Sequence, residues 1–245
     1  MLATSACCLG IGRIDIMAKV HGLKLLSVGT NAKTIKGDGT EYLTAILYLR
    51  PNLQLCAKSK IAGCAAACLY TAGRGVMNSV KAARTRKAVL LENNPELFMA
   101  MLKVDLQRFE NYCDRKEIQP CVRLNGTSDY DFRSIMGAFP SINFYDYSKC
   151  YERALENNPP NYHITLSYSE ASASFAEVIR RVTKKTGVNM AVVFRDKENI
   201  PETYSGRMVI NGDQDDLRFL DPKGVVVALY AKGKAKKDTT GFVIN

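Results

Sequence analysis

The residues with the clearest chemical potential are three cysteines, Cys56, Cys64 and Cys68, in the segment LCAKSKIAGCAAACLY. Cysteine thiolates are the preferred ligands of iron-sulfur clusters and are also common zinc ligands. At the spacing C-x7-C-x3-C, three thiolates could bind three irons of a [4Fe-4S] cluster and leave the fourth iron open to another ligand. Cys64 and Cys68 would share a face of a helical turn, so only Cys56 has to fold back.

Two other interpretations of the cysteines stay open. Zinc sites favour cysteine pairs two to four residues apart together with a fourth ligand, and His21 and His163 are the only histidines. Cys121 is a candidate fourth ligand because it lies near the polar end of a predicted strand. In the third interpretation, Cys64 and Cys68 are buried small residues among alanines, in a tight helix contact.

The elements that would position these cysteines follow an alternating pattern. Six short apolar segments are typical of buried strands, and most connections between them are long enough to hold a helix. The strands are predicted at 42–49, 121–124, 142–145, 163–166, 189–194 and 225–230. We therefore predict an α/β fold, either an incomplete parallel (βα) barrel or an open parallel sheet, with the cysteine-rich loop after an early strand. We expect a single α/β domain over residues 25–245 and an N-terminal extension over residues 1–24, which need not be ordered.

Two helices are predicted between the first two of these strands. The pattern becomes helical from about Asn78 and breaks at Asn93, where Asn94 can cap a second helix that has Pro95 in its first turn. Apolar residues recur on that second helix at helical spacing and are predicted to be core residues. They are Phe98, Met101, Leu102, Leu106, Phe109 and Cys113.

The chain carries a formal charge of +10, from 34 basic and 24 acidic residues. Such an excess favours polyanionic partners, although a solvated basic surface explains it equally well. The excess is concentrated in two clusters: Lys81, Arg84, Arg86 and Lys87, and the C-terminal group that includes Lys232 and Lys234. The sequence contains no run of about 18 apolar residues, and this absence argues against a membrane-spanning helix. Because there is also no convincing secretory signal, we expect a cytoplasmic protein with reduced or metal-bound thiols.

Several segments together resemble the bacteriophage gene product 88 family, from about residue 25 to residue 245. They are CAKSKIAGCAAACLYTAGRG, CVRLNGTSDYDF, INFYDYSK, NYHITLSYSE and DDLRFLDPKGVVVALYAKGKA. The resemblance implies a phage protein that works in the host cytoplasm. The cysteine loop is also similar to that of radical S-adenosylmethionine (AdoMet) enzymes. Two features differ from those enzymes. Their usual cysteine spacing is C-x3-C-x2-C, whereas this chain has C-x7-C-x3-C, and their glycine-glycine-acid cluster after the second strand is replaced here by NGTSD.

Our first functional hypothesis is a radical AdoMet-like enzyme that acts on a nucleotide or nucleic-acid substrate. The cluster would bind to the three cysteines, and AdoMet would bind the open iron. The polar residues after the strands are then candidate cofactor contacts: Asn125, Ser128, Asp129, Ser167, Ser169 and Glu170. Arg123 and Lys149 are candidate anion contacts.

The second hypothesis is a non-catalytic nucleic-acid-binding protein in which a structural metal, zinc or iron-sulfur, stabilises the cysteine loop. The two basic clusters would then contact phosphates. Hydrolase chemistry is disfavoured because the chain has no G-x-S-x-G motif, and no P-loop is present. We interpret the acidic run Asp213, Asp215 and Asp216 as a hydrated turn.

Overall fold

A largely parallel sheet runs through the part of the chain described by this computed structural model, residues 23–29 and 41–245. Its order is β1-β2-β3-β4-β5-β6-β9-β8-β7, so the sheet is not closed, and β10 pairs with β6 outside this path. The strands from β2 through β6, followed by β9 and β8, are all parallel to their neighbours, whereas β1 and β7 pair antiparallel at the two edges. The bounds are β1 Leu26–Val28, β2 Tyr42–Leu47, β3 Gln119–Arg123, β4 Asn143–Ser148, β5 Tyr162–Ser167, β6 Met190–Phe194, β7 Thr203–Tyr204, β8 Arg207–Asn211, β9 Val226–Tyr230 and β10 Val243–Ile244.

The predicted α/β class and parallel pairing are therefore confirmed, and all six predicted strands are present. The chain segments that connect the strands contain fewer long helices than their lengths would allow. Full-length helices α1 and α2 (Asn78–Asn93 and Pro95–Lys116) join β2 to β3, and α4 (Ala173–Thr186) joins β5 to β6. The β3–β4 connection holds only the short α3 (Arg133–Met136), a 3-10 turn follows β4, and the hairpin β7–β8 follows β6. These connections are long enough to hold a full helix, as the sequence indicated, but at these places the chain forms short turns or a hairpin instead.

Helix α2 begins where the capping residues predicted. The Asn94 side chain accepts a hydrogen bond from the Leu97 amide at 3.0 Å, and Pro95 occupies the first turn, where its missing N–H is not needed. All six residues predicted as its core face are buried. They pack with buried residues of β2, β3 and β4 on one face of the sheet, in the largest hydrophobic cluster.

The opposite face of the sheet is covered by the connection between β8 and β9. Within it, the Phe219 ring lies 5.3 Å from Tyr42 on β2, 5.7 Å from Tyr145 on β4 and 5.8 Å from His163 on β5. Leu217 joins Cys121 and Tyr145 in the same small cluster. This connection therefore fills the amino-terminal part of that face and leaves the carboxyl ends of the strands accessible to a ligand.

The predicted N-terminal extension, residues 1–24, falls almost entirely outside the described residues, so the division into an extension and one domain stays a prediction. Within residues 23–29 and 41–245, no helix is long and apolar enough to cross a membrane.

Candidate functional site

A cavity of about 550 Å³ lies at the carboxyl ends of the parallel strands. Five neighbouring strands, β3, β4, β5, β6 and β9, each line it with their last or next-to-last residue. These residues are Arg123, Tyr147, Ser167, Val193 and Leu229. Because parallel strands end at a common edge, side chains far apart in sequence meet at this pocket. The pocket therefore occupies the position at which α/β sheets carry their ligands.

The cysteine loop between β2 and α1 supplies another wall, and Cys56, Cys64 and Cys68 all line the cavity. The loop consists of consecutive turns, one of which requires Gly63. Gly63 has a φ of +66°, and a Cβ at this position would lie 2.7 Å from the Ala171 side chain. The glycine thus lets the loop turn tightly and pack closely between Cys56 and the other two cysteines.

Two of the three thiols have a hydrogen-bonding neighbour in the backbone. The Tyr70 amide lies 3.5 Å from the Cys68 Sγ, and the Cys64 thiol faces the Ser59 carbonyl at 3.7 Å. The Asp129 amide, near Cys56, donates to the Leu55 carbonyl at 2.9 Å. Burial raises the pKa of all three thiols, that of Cys56 to about 12, with further contributions from Asp129 and from the other two cysteines. Without a metal ion the three thiols are therefore neutral at neutral pH.

The thiols share a cavity but are not arranged as a finished metal site. Within the described residues, no group of three or more His, Cys, Asp or Glu side chains has the geometry to hold a metal ion. Cys121 does not supply a fourth ligand at the pocket, since it is fully buried in β3 and its thiol faces the Gln119 carbonyl at 3.9 Å. The donor chemistry fits an iron-sulfur cluster, and the loop would have to bring the sulfurs together on binding one.

Lys149 is a buried cation that interacts electrostatically with all three cysteine sulfurs. Its ammonium donates to the Ser167 hydroxyl at 2.7 Å and lies 4.7 Å from the centre of the Phe242 ring. Burial lowers the pKa of Lys149, while nearby Cys64, Asp129 and the other cysteines raise it. Phe242 reaches the pocket because β10 pairs with the end of β6, beyond the positions at which β5 pairs.

Asn125, Ser128 and Asp129, the predicted cofactor contacts, line the pocket, but their side chains are committed to the loop itself. The Asn125 side-chain oxygen, Oδ1, accepts from the Ser128 hydroxyl and from the Tyr130 amide, at 2.9 and 2.8 Å. Asp129 accepts hydrogen bonds from three donors: the Ser148 hydroxyl, the Lys149 amide and the Arg153 guanidinium, at 2.7 to 2.8 Å. These side chains therefore shape the wall of the pocket, and a ligand would have to use their remaining lone pairs or the backbone.

Ser169 and Glu170 point away from the pocket, unlike Ser167, which lines it. Ser169 is fully buried and donates to the Ala62 carbonyl at 2.7 Å. Glu170 accepts from the Tyr204 hydroxyl at 2.7 Å. The cofactor roles predicted for these two residues are not supported by this placement, because the chain turns after β5 and redirects the side chains.

The basic cluster of α1 is only partly available to a phosphate. Lys87 is buried and donates to the Leu25 carbonyl at 2.5 Å. The Arg84 guanidinium lies over the Tyr48 ring, 4.7 Å from its centre, and near Tyr70 as well. Of the predicted phosphate contacts, Lys87 is thus placed in the interior and Arg84 against aromatic rings.

The remaining predicted phosphate contacts keep surface exposure. Arg86 and Lys234 are exposed, and Lys81 is partly exposed. Lys232 lies on the pocket wall and pairs with Asp213.

The sequence interpretation missed a buried charge pair at the bottom of the pocket. Arg123, predicted as an anion contact, bonds Asp216 through Nη1 at 2.9 Å, and the two residues are 3% and 7% exposed. The acidic run is thus not simply a hydrated turn. An arginine inside a buried strand always requires a counter-charge, which was the available signal, but the sequence does not say which acid supplies it.

The fold and the pocket define a class: α/β proteins with a cavity at the carboxyl edge of a parallel sheet, next to a cysteine-bearing loop. The sequence model of the gene product 88 family matches residues 24–245 of the chain. The chain belongs to this family, as its motifs predicted. No curated protein sequence and no solved structure matches it. The likeness to radical AdoMet enzymes stays a prediction.

Proposed function

We propose that the chain binds a [4Fe-4S] cluster through Cys56, Cys64 and Cys68 and is a radical AdoMet-like enzyme with an incomplete parallel barrel. One observation carries the proposal: three thiols from one loop and the ends of five parallel strands line the same cavity. Cysteines that served only as small core residues would be fully enclosed, whereas these three are partly exposed and all line one cavity. This shared cavity favours metal binding over simple packing.

The surroundings of the sulfurs support a cluster rather than a bare thiol site. The Tyr70 backbone N–H directed at the Cys68 sulfur would stabilise a thiolate there, as do hydrogen bonds at known iron-sulfur sites. Three thiolates also leave negative charge on the site, and the Lys149 ammonium is buried within electrostatic reach of all three cysteines. A [4Fe-4S] cluster on three cysteines would supply an open iron and an electron for the reductive cleavage of AdoMet.

The residues of the chain itself would orient the ligand and exclude water. Lys149 is fixed by Ser167 on the wall next to the sulfurs, so its ammonium can bind a carboxylate without first having to be ordered. Val193, Leu229 and Phe242 line the same cavity and would keep water from the reacting atoms. A polar wall beside an apolar wall suits a small organic ligand.

The nucleic-acid-binding alternative has less support. Two of the four cations proposed to contact phosphates on α1, Arg84 and Lys87, already pack against tyrosine rings or bind a carbonyl. Arg86 is exposed and Lys81 partly exposed on α1, and Lys234, Lys236 and Lys237 are exposed at the C-terminal group, so the alternative now depends on these residues.

Anaerobic reconstitution with iron and sulfide tests the proposal. We expect brown protein that absorbs broadly near about 400 nm, and a change in the electron paramagnetic resonance signal of the reduced protein when AdoMet is added. Cys64→Ala should remove both, whereas Cys150→Ala, outside the pocket, should keep them. Colourless wild-type protein that binds one zinc ion would contradict the proposal, and salt-sensitive DNA binding by that protein would favour the alternative.

A further inference from the structure

The bottom of the pocket, formed by Arg123 and Tyr147 and here called the pocket floor, contains polar atoms that the fold leaves unused. Both residues line the cavity. Arg123 Nε and the Tyr147 hydroxyl are inaccessible to solvent, and neither has a hydrogen-bond partner within the described part of the chain. Buried polar atoms are nearly always paired, so two unpaired atoms on one pocket wall point to a partner from outside the chain.

The charge of the pocket floor is already balanced. Arg123 Nη1 lies 3.3 and 2.9 Å from the two carboxylate oxygens of Asp216, which is itself buried. A further anion at this depth would lack a counter-charge, and a buried unpaired charge is strongly unfavourable. The group that complements the floor is therefore uncharged.

Both unused atoms act as hydrogen-bond donors. The guanidinium is always protonated, so Arg123 Nε carries a hydrogen. Burial raises the pKa of Tyr147, and its phenol therefore keeps its proton at neutral pH. The two groups are held together, since the Arg123 guanidinium lies 4.8 Å from the centre of the Tyr147 ring. A ligand must consequently bring an acceptor oxygen or nitrogen to this place.

We propose that the pocket floor is a substrate subsite for an uncharged amide-type carbonyl, the group carried by nucleobases and by peptides. This inference rests on the proposed function only in that the cavity is the ligand site of the enzyme. A site with committed donors rejects ligands that lack the acceptor, because the donors would then stay buried and unpaired. The subsite would thus favour substrates that carry such a carbonyl over substrates that lack it.

Binding measurements by isothermal titration calorimetry test the subsite on the full-length protein, both as purified and after cluster reconstitution. The probes are uridine and N-acetylglycinamide, which carry the amide carbonyl, and benzoate and inorganic phosphate, which carry a charge. We expect an uncharged amide to bind and Tyr147→Phe to weaken that binding about tenfold. The relative affinity of uridine and N-acetylglycinamide identifies the source of the carbonyl.

A matched substitution separates recognition from folding. Tyr162→Phe removes a hydroxyl from a tyrosine that packs in the hydrophobic cluster on the other face of the sheet, and it should leave the affinity unchanged. Tyr147→Phe should not lower the unfolding temperature, because the hydroxyl that it removes has no partner. A lower unfolding temperature, unchanged amide affinity, failure of both amides to bind, or anion binding that Tyr147→Phe weakens would each overturn the subsite, whereas anion binding that does not depend on Tyr147 is assigned to Lys149.

The outcomes also separate this inference from the proposed function. Amide binding that depends on Tyr147 in protein that takes up no iron would preserve the subsite and remove the cluster. Normal cluster uptake without amide binding would support the cluster and contradict the subsite.

Discussion

The buried pair of Arg123 and Asp216 gives the sharpest test of the pocket architecture. In Asp216→Asn the side chain keeps its size and can still accept one hydrogen bond, but the Arg123 charge loses the carboxylate with which it pairs. Removal of one partner of a buried pair typically costs about 3 to 5 kcal/mol, because the remaining charge stays desolvated. For a chain of this length, each 1 kcal/mol corresponds to roughly 2 to 4 °C. We therefore expect the unfolding temperature to fall by roughly 6 to 20 °C.

A second aspartate supplies the control for this substitution. Asp131 lies closer to its arginine, at 2.5 Å from Arg133, but its side chain is 46% exposed. Exposed pairs contribute about 0 to 1 kcal/mol, so Asp131→Asn should shift the unfolding temperature little. Thermal unfolding followed by circular dichroism, supported by urea titration, compares the two variants. Equal destabilisation by both substitutions would refute the argument, since it would mean that burial does not determine the contribution of the pair.

Two further predictions concern folding stability and are read by urea denaturation. Burial lowers the pKa of Lys87 to about 8, so between pH 8 and about 10.4 this group alone makes the unfolded chain bind more protons and contributes stability that rises with pH. Buried thiols, whose pKa burial raises, act in the opposite sense, so the test is the difference in unfolding free energy between wild type and Lys87→Met. This difference should shift in favour of the wild type as pH rises over that range, and a constant difference would show that Lys87 does not titrate there. Gly212→Ala would place a Cβ against Val227 Cγ1 and 3.0 Å from the Ala228 carbonyl, which should cost about 1 to 3 kcal/mol. Gly137→Ala meets open space and should be neutral or stabilising by up to about 1 kcal/mol, so equal effects of the two alanines would contradict the packing argument.

Local signals predicted much of the fold. The Asn94 cap with Pro95 fixed the start of α2, and helical spacing identified its core face. The same kind of information placed the parallel strands, because short apolar runs with long connections favour crossovers. The hairpin β7–β8 gave no comparable signal, since its strands are short and none of its residues is buried.

The candidate site was predictable where it depends on strand ends and not where it depends on distant partners. The position of the cysteines directly after β2 predicted their place at the carboxyl edge, and all three line the pocket. The pairing of Arg123 with Asp216 joins residues 93 positions apart. Lys87 likewise binds the Leu25 carbonyl across 62 positions. Contacts of this kind are set by tertiary packing, which a single sequence does not encode in any local pattern.

Iron and sulfide content after anaerobic reconstitution tests the central claim most directly, namely that Cys56, Cys64 and Cys68 bind one cluster. We expect about four irons and four sulfides per chain in the wild type and in Cys150→Ser, whose thiol lies outside the pocket. Serine at any one of the three pocket cysteines should reduce both contents sharply while the protein stays folded. Wild-type protein without iron, or serine variants that keep the full complement, would contradict the claim.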